Sequence, residues 1–190
     1  MYAALINHIA KFVSLDATEN EILCSLLDYQ KFKKKAHLLK EGQSSNIQYF
    51  IVKGCSRQYI INEKGAEKTL QFAIENWWLT DYLGFHNNTP SQFYFQAIEN
   101  CEAIALEKTN MEILLQKVPK LEKYFRLVLQ KSYGASQIRI KYLFTMSAEE
   151  RYRNMNDRFP EFMQRVPQYM IASYLDFSPE FLSKIRAGKV

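Results

Sequence analysis

The chain has 190 residues, of which 47% are hydrophobic and 14% aromatic, and its formal net charge is +5, which suits one packed domain or two small ones and excludes a disordered chain. No apolar run approaches the roughly 20 residues of a membrane-spanning helix, the first residues lack a signal-peptide pattern, and the three cysteines and three histidines show no metal-ligand spacing. We therefore expect a cytoplasmic protein without a metal, a cofactor or a membrane partner.

The first 30 residues predict helices. Leu5, Ile9 and Phe12 fall at helical spacing, and Thr18 with Glu21 forms a capping-box pattern ahead of a second apolar stripe. The residues that follow these two segments have a different sequence pattern.

From about Phe32 to Leu106, short runs of β-branched and aromatic residues alternate with turn signals. Six such runs at this spacing predict a small antiparallel barrel or sandwich. The candidate strands are Ala36–Lys40, Gln48–Val52, Ser56–Ile61, Thr69–Ile74, Phe93–Ala97 and Glu102–Leu106.

A helix is predicted again from Thr109, where Thr109 and Glu112 form a capping pattern, and a longer one over Lys120–Thr145. The long helix carries an apolar set that we expect to pair with a second copy of the chain, with burial inside one subunit as the alternative. This set consists of Leu121, Phe125, Val128, Ser132, Ala135 and Tyr142. Ser147 and Glu150 then cap a short helix, and Phe159–Val166 is predicted to be a linker.

The last segment predicts two short helices. Pro167 opens the first, Leu175–Ser178 forms a tight turn, and Ser178 followed by Pro179 is a strong start for the second. Two short helices joined by such a turn are a helix-turn-helix, whereas the alternative is a helical hairpin that binds nothing. The candidate DNA contacts are Gln168, Ser178, Glu180, Ser183, Lys184, Arg186 and Lys189.

The positive charge is unevenly distributed. Residues 1–119 hold 12 Lys and Arg against 13 Asp and Glu, whereas residues 120–190 hold 13 against 7. A basic excess confined to one segment is typical of nucleic-acid binding, and also of an ordinary solvated face.

The order of these elements resembles the Crp/Fnr family of bacterial transcription regulators. Leu38–Gln43 and Tyr49–Gly54 resemble its cyclic nucleotide-binding β-roll, while Ile171–Leu175 and Ser178–Ile185 resemble its DNA-reading helices. The resemblance implies an α+β fold with an antiparallel β-roll, or double-stranded β-helix, and flanking helices. The implied domains are a sensor (1–118), a dimerisation helix (119–145) and an all-α, winged-helix-like DNA-binding domain with a reduced wing (146–190).

The resemblance also implies a function. It implies a homodimer that binds double-stranded DNA, with RNA polymerase as a further partner, and no enzyme activity. The sequence also lacks a G-x-S-x-G, an H-E-x-x-H or a phosphate-loop motif. The alternative is a ligand-sensing β-roll that acts through a protein partner and whose helix-turn-helix is degenerate.

The sensor half departs from the family where cyclic nucleotides bind. Relatives hold the cyclic phosphate with a Gly-Glu pair and an Arg, whereas this chain has Thr80-Asp81 and no Lys or Arg from Glu75 to Asn100. We therefore predict weak or no cyclic AMP binding, with either an uncharged, aromatic or cationic effector or a roll filled by its own aromatic side chains. The candidate pocket residues are Trp77, Trp78, Thr80, Asp81, Tyr82, Phe93 and Tyr94.

The DNA-reading half departs from the family as well. Asp176 replaces the common turn glycine but tolerates a left-handed backbone. Pro179 and Lys184 stand where relatives often carry Arg, which predicts less discriminating base readout. The linker Phe159–Val166 is too short for a β-hairpin wing.

Overall fold

The computed structural model describes residues 1–188, which contain eight strands. They are β1 (Asp28–Phe32), β2 (His37–Leu39), β3 (Ile47–Lys53), β4 (Ser56–Ile61), β5 (Glu67–Ala73), β6 (Trp78–Leu79), β7 (Tyr94–Ala97) and β8 (Cys101–Glu107). The strands form two four-stranded sheets with the orders β1-β8-β3-β6 and β2-β7-β4-β5. The antiparallel β-roll and the α+β class are thereby confirmed.

Two of the strands, β1 and β6, were not predicted from the sequence. β1 is mostly polar, because it is a sheet edge that pairs with β8 alone, and it therefore lacks the apolar signature of a central strand. β6 has only two residues and is held by β3, through Tyr49 opposite Leu79 and Phe50 opposite Trp78. A local window of sequence shows neither the edge position of β1 nor the pairing of β6 with β3.

Nine helices lie in the described residues, and the long helix has the predicted bounds. They are α1 (Ala3–Ala10), α2 (Ala17–Ser25), α3 (Tyr82–Asn87), α4 (Lys108–Lys117), α5 (Lys120–Thr145), α6 (Ala148–Arg158), α7 (Pro160–Arg165), α8 (Gln168–Leu175) and α9 (Pro179–Arg186). No helix within residues 1–188 is long and apolar enough to cross a membrane.

Three local predictions are wrong. The capping box of α2 is formed by Asp16 and Glu19, whose side chains each accept the other's backbone N–H at 2.9 Å, and not by Thr18 and Glu21. α4 begins at Lys108 without a side-chain cap, one residue before the predicted Thr109. The predicted linker folds as α7, because Pro160 can start a helix as well as end one.

The chain divides into two compact units. The first comprises residues 1–60 and 71–129, and the second comprises residues 61–70 together with the described residues from 130 on. The tip of the β4–β5 hairpin therefore belongs to the second unit, with the C-terminal helices.

The sheet β1-β8-β3-β6 has two apolar faces. Tyr49 and Ile51 of β3 point into the roll, where they join one core cluster, whereas Phe50 points the other way and joins a second cluster. This second cluster includes Leu5 of α1 and Leu121 of α5. The two-residue period of a strand therefore gives the first unit a roll interior and a separate helical layer.

Candidate functional site

The turn between α8 and α9 is built from local signals. Asp176 ends α8 in the left-handed conformation, with φ of 60° and ψ of 52°. The backbone N–H of Phe177 donates to the carbonyl of Ala172 at 3.1 Å, which satisfies a carbonyl in the last turn of α8. The predicted turn, in which Asp176 takes the place of a glycine, is thus confirmed.

The second helix of the pair starts as the sequence predicts. The hydroxyl of Ser178 accepts a hydrogen bond from the backbone N–H of Phe181 at 3.2 Å, and Pro179 occupies the first turn. Leu182 and Ile185 are buried on the inner face of α9. Ala172 of α8 is completely buried, and its small side chain lets a second helix approach closely at this position.

The opposite face of α9 is exposed and polar. Glu180, Ser183, Lys184 and Arg186 all lie there, and Ser178 and Gln168 are exposed at the starts of α9 and α8. The pKa of Glu180 is held below its usual value by hydrogen bonds from its own backbone N–H and from Ser178. The candidate Lys189 lies outside the described residues.

The basic excess does not reside on this pair of helices. Residues 166–188 hold two basic side chains and two acidic ones, so most of the positive charge belongs to α5–α7. Arg139 of α5 donates to the carbonyl of Tyr174 at 2.9 Å, and its guanidinium lies 4.4 Å from the centre of the Tyr174 ring. Arg151 of α6 donates to the carbonyl of Leu175 at 3.1 Å.

These two arginines therefore cap the C-terminal end of α8, where unpaired carbonyls and the helix dipole attract cations. Sequence reasoning counted both among the charges available to DNA. Their spacing relative to α8 is not regular, so only the fold identifies this role.

The hairpin tip in the second unit also holds α8. The hydroxyl of Ser173 donates to the carbonyl of Glu67 at 3.0 Å and accepts from the backbone N–H of Thr69 at 2.9 Å. Lys68 forms an exposed ion pair with Asp176 at 3.2 Å. The first helix of the pair is thus fixed from two sides, while the outer face of α9 stays exposed.

In the first unit, the side chains of the seven predicted pocket residues do not all face the roll interior. Trp78 points away from the roll interior, because it pairs with Phe50, and its indole N–H donates to the hydroxyl of Tyr124 at 2.8 Å. Trp77 and Tyr82 are nearly half exposed. An effector held between Trp77 and Trp78 is therefore incompatible with this arrangement.

The remaining pocket candidates are also spread out. Phe93 packs against the core cluster inside the roll. Tyr94 points the other way, since its neighbour Phe95 lies in that cluster, and it stacks on Tyr59 with ring centres 5.0 Å apart. Thr80 is buried, and its hydroxyl has no hydrogen-bond partner among residues 1–188.

Asp81 is the pocket candidate with the clearest local function. Its buried carboxylate caps α3 by accepting from the backbone N–H of Gly84 at 3.0 Å and from the hydroxyl of Ser91 at 2.9 Å. Lys108 binds the other end of α3, where it donates to the carbonyl of His86 at 2.7 Å and to the side chain of Asn88 at 3.0 Å. The chain's own side chains thus neutralise both ends of α3.

The candidate dimer residues on α5 fall into two groups. Leu121 is completely buried in its own unit, and Phe125 and Val128 pack against the same cluster, so this half of the set is not available to a second copy. Ser132 and Tyr142 are half-buried and Ala135 is exposed. The large apolar side chains that α5 does expose lie elsewhere on it and are Leu129, Tyr133, Ile138, Ile140 and Phe144.

Residues 29–118 match the family of the cyclic nucleotide-binding domain. The fold is similar to FixK2 from Bradyrhizobium japonicum, with a TM-score of 0.74, 13% identity, and coverage of 85% of this chain and 83% of that chain. It is similar to the c-di-GMP responsive global regulator CLP from Xanthomonas campestris, with a TM-score of 0.74, 15% identity and coverage of 91% of each chain.

A third similar structure comes from Eubacterium rectale and is described as a transcriptional regulator of the Crp/Fnr family. Its TM-score is 0.70 at 12% identity, over 92% of this chain and 83% of that chain. No protein with a curated description matches the sequence. At these identities the likeness is one of fold.

Proposed function

We propose that this protein is a homodimeric, DNA-binding transcription regulator that does not respond to cyclic AMP. The premises are that residues 29–118 match the cyclic nucleotide-binding domain family and that the chain has the fold of the Crp/Fnr regulators. The observation that carries the proposal is the pair α8–α9, with a capped second helix whose outer face is exposed and polar. A helix presented in this way fits the major groove of DNA.

The exposed side chains of α9 suit base and phosphate contacts. Lys184 and Arg186 are donors to phosphates or to guanine, and Ser183 can contact any base edge. Glu180 stays ionised and can accept a hydrogen bond from the amino group of cytosine. Because α7 occupies the place of a wing, contacts to the DNA backbone come from helices.

Dimerisation is proposed through the exposed face of α5. Tyr133, Ile140 and Phe144 are spaced by seven and four residues, which places them on one side of the helix. Their exposed fractions are 64%, 52% and 85%. Pairing of two such helices buries this apolar face and sets two recognition helices roughly 34 Å apart, one DNA turn.

The contacts at the two ends of α3 are the basis for proposing that the protein does not respond to cyclic AMP. A cyclic phosphate needs free amides at a helix start and a nearby cation. Here the carboxylate of Asp81 already caps that start, and Lys108 is engaged at the other end. A phosphate placed beside Asp81 meets a buried negative charge without compensation.

The test of DNA binding is fluorescence anisotropy with a duplex selected by this protein from a random library. The variant K184A/R186A is compared with K33A/K34A, which removes the same charge from exposed residues of the first unit. We expect at least tenfold weaker binding for the first variant, and a slope of log affinity against log salt that is shallower by about 0.9 for each phosphate left without its cation. Equal binding by both variants contradicts the proposal.

One observation favours a second candidate function. Because residues 166–188 carry no net charge, a pair of helices that binds a protein partner is also compatible with this surface. This candidate is a ligand-sensing β-roll that acts through that partner. This candidate predicts no salt-dependent DNA affinity and a partner whose binding depends on the ligand, so the same titration decides between the two.

A further inference from the structure

The first unit contains a cavity of about 260 Å³ beside the turn between β2 and β3. Its apolar wall comes from Leu38 and Leu39 of β2 and from Ile47 and Tyr49 of β3, while Gln43, Ser44 and Ser45 of the turn supply the polar wall. None of the seven pocket candidates from the sequence lines it. All of the lining side chains are neutral.

The size of the cavity limits the ligand. A cavity of about 150 Å³ is enough for benzene, and pockets for drug-sized ligands start at about 300 Å³. The cavity of 260 Å³ therefore accommodates a molecule built on one ring with a few substituents. A complete nucleotide with its sugar and phosphate is larger than this.

The polar wall gives the ligand a place for one hydrogen-bonding group. Ser45 is 2% exposed, and within residues 1–188 its hydroxyl makes a single long contact of 3.4 Å, to the carbonyl of Asp81. The hydroxyl of Tyr49 donates to the carbonyl of Leu38 at 3.1 Å, so its oxygen can still accept. An alcohol or an amide is suited to both groups.

Charge excludes an anion. Burying a carboxylate or phosphate costs several kcal/mol unless a cation pairs with it, and this wall offers neutral groups only. A Cβ placed on Gly84 would lie 2.7 Å from a carboxylate oxygen of Asp81 and 2.8 Å from Cβ of Ser45. The buried negative charge of Asp81 is thus close behind the polar wall.

The cavity is tied to the segment that carries α3. The backbone of Gly42 donates to the carbonyl of Ser91 and the backbone of Ser91 donates to the carbonyl of Gln43, both at 2.8 Å. Ser44 forms a β-bridge with Pro90. The turn that supplies the polar wall is therefore hydrogen-bonded to the residues that follow α3.

We propose that this cavity binds a small uncharged molecule with a single ring and a hydroxyl or amide group. This inference deepens the proposed function by naming the chemistry of the ligand. The role of the ligand as an effector rests on the proposed function, whereas its binding to the cavity does not. Leu38, Leu39 and Ile47 contact the ring, and Ser45 binds the polar group.

The test uses methyl NMR of the full-length protein, with 4-methylphenol as the probe and 4-methylbenzoate as its charged match. We expect 4-methylphenol to shift the methyl signals of Leu38, Leu39 and Ile47 in a saturable manner, with at least tenfold higher affinity than 4-methylbenzoate. Equal affinity of the two probes, displacement of 4-methylphenol by cyclic AMP, or no shift at millimolar concentration overturns the proposal.

Two variants that fill the cavity locate the binding. I47W is expected to weaken 4-methylphenol binding at least tenfold, whereas L83W, on the exposed side of α3, leaves it unchanged. If I47W does not fold, S44W fills the cavity from its exposed rim. Unchanged binding in a folded filling variant overturns the proposal.

DNA binding by the same samples separates the two proposals. If 4-methylphenol does not bind while DNA binding is intact, only the cavity site is rejected. Probe binding without DNA binding rejects only the proposed regulator.

Discussion

The hydroxyl of Ser91 donates a hydrogen bond of 2.9 Å to the carboxylate of Asp81, which also accepts the backbone N–H of Gly84. These two hydrogen bonds join the start of α3 to the residue that precedes β7 by three positions. The segment from Asp81 to Ser91 is therefore closed by its own side chains.

Removal of the Asp81 side chain is expected to destabilise the first unit. D81A loses a helix cap, which is worth about 1 kcal/mol, and leaves the buried hydroxyl of Ser91 with one partner fewer, at a cost of about 1 kcal/mol more. Urea unfolding followed by tryptophan fluorescence measures this unit, since Trp77 and Trp78 both lie in it. E63A, in an exposed turn, serves as the control, and a loss for D81A no larger than for E63A contradicts the interpretation.

Alkaline pH is expected to destabilise the first unit through Tyr49. Burial, together with the negative charges of Asp28 and Glu107, raises the pKa of Tyr49 to about 12. In the unfolded chain this hydroxyl ionises near pH 10, so between about pH 10 and 12 only the unfolded state loses the proton. Stability is therefore complete below about pH 10 and falls by up to about 1.4 kcal/mol per pH unit above it.

The variant Y49F isolates this contribution. It loses the hydrogen bond to Leu38 at every pH, at a cost of about 1 kcal/mol, but its stability falls less steeply above pH 10 than that of the wild type. Urea midpoints at pH 8, 10 and 11 measure the difference in slope. Parallel curves for the two proteins disagree with a raised pKa at Tyr49.

Sequence patterns predicted the elements that depend on local chemistry. Ser178-Pro179 and the left-handed Asp176 act within a few residues of themselves, and both were identified correctly. The direction of Trp78 depends instead on its pairing with Phe50, nearly thirty residues away, and a shift of one residue reverses it. The roles of Arg139 and Arg151 as caps of α8 likewise depend on tertiary contacts that charge counting does not include.

A charge on the exposed face of α5 is expected to abolish the proposed dimerisation without unfolding the chain. F144D places a carboxylate where the side chain is 85% exposed, so the subunit keeps its core. Burying that charge between two helices costs several kcal/mol, and analytical ultracentrifugation should detect a monomer. L83D, at a similarly exposed apolar position on α3, is the matched control, and a dimeric F144D would place the interface elsewhere.

Leu121 distinguishes the two groups of apolar residues on the same helix. Because it is completely buried in its own unit, L121A is expected to cost about 2–5 kcal/mol of stability. Its effect should appear in the urea midpoint of the first unit and not in the dissociation constant of the proposed dimer. The opposite pattern would assign Leu121 to the interface between subunits.

The turn between α8 and α9 places a specific demand on residue 176. With φ of 60°, the backbone of Asp176 is in the left-handed region, which Asp tolerates and β-branched residues do not. D176V should destabilise the second unit by about 1–2 kcal/mol, whereas D176G keeps the turn and loses only the exposed pair with Lys68, which contributes less than about 1 kcal/mol. Hydrogen exchange of the α8 and α9 amides measures this stability, and DNA binding of D176G should match the wild type. Equal protection in D176V and D176G would mean that this backbone conformation carries no strain.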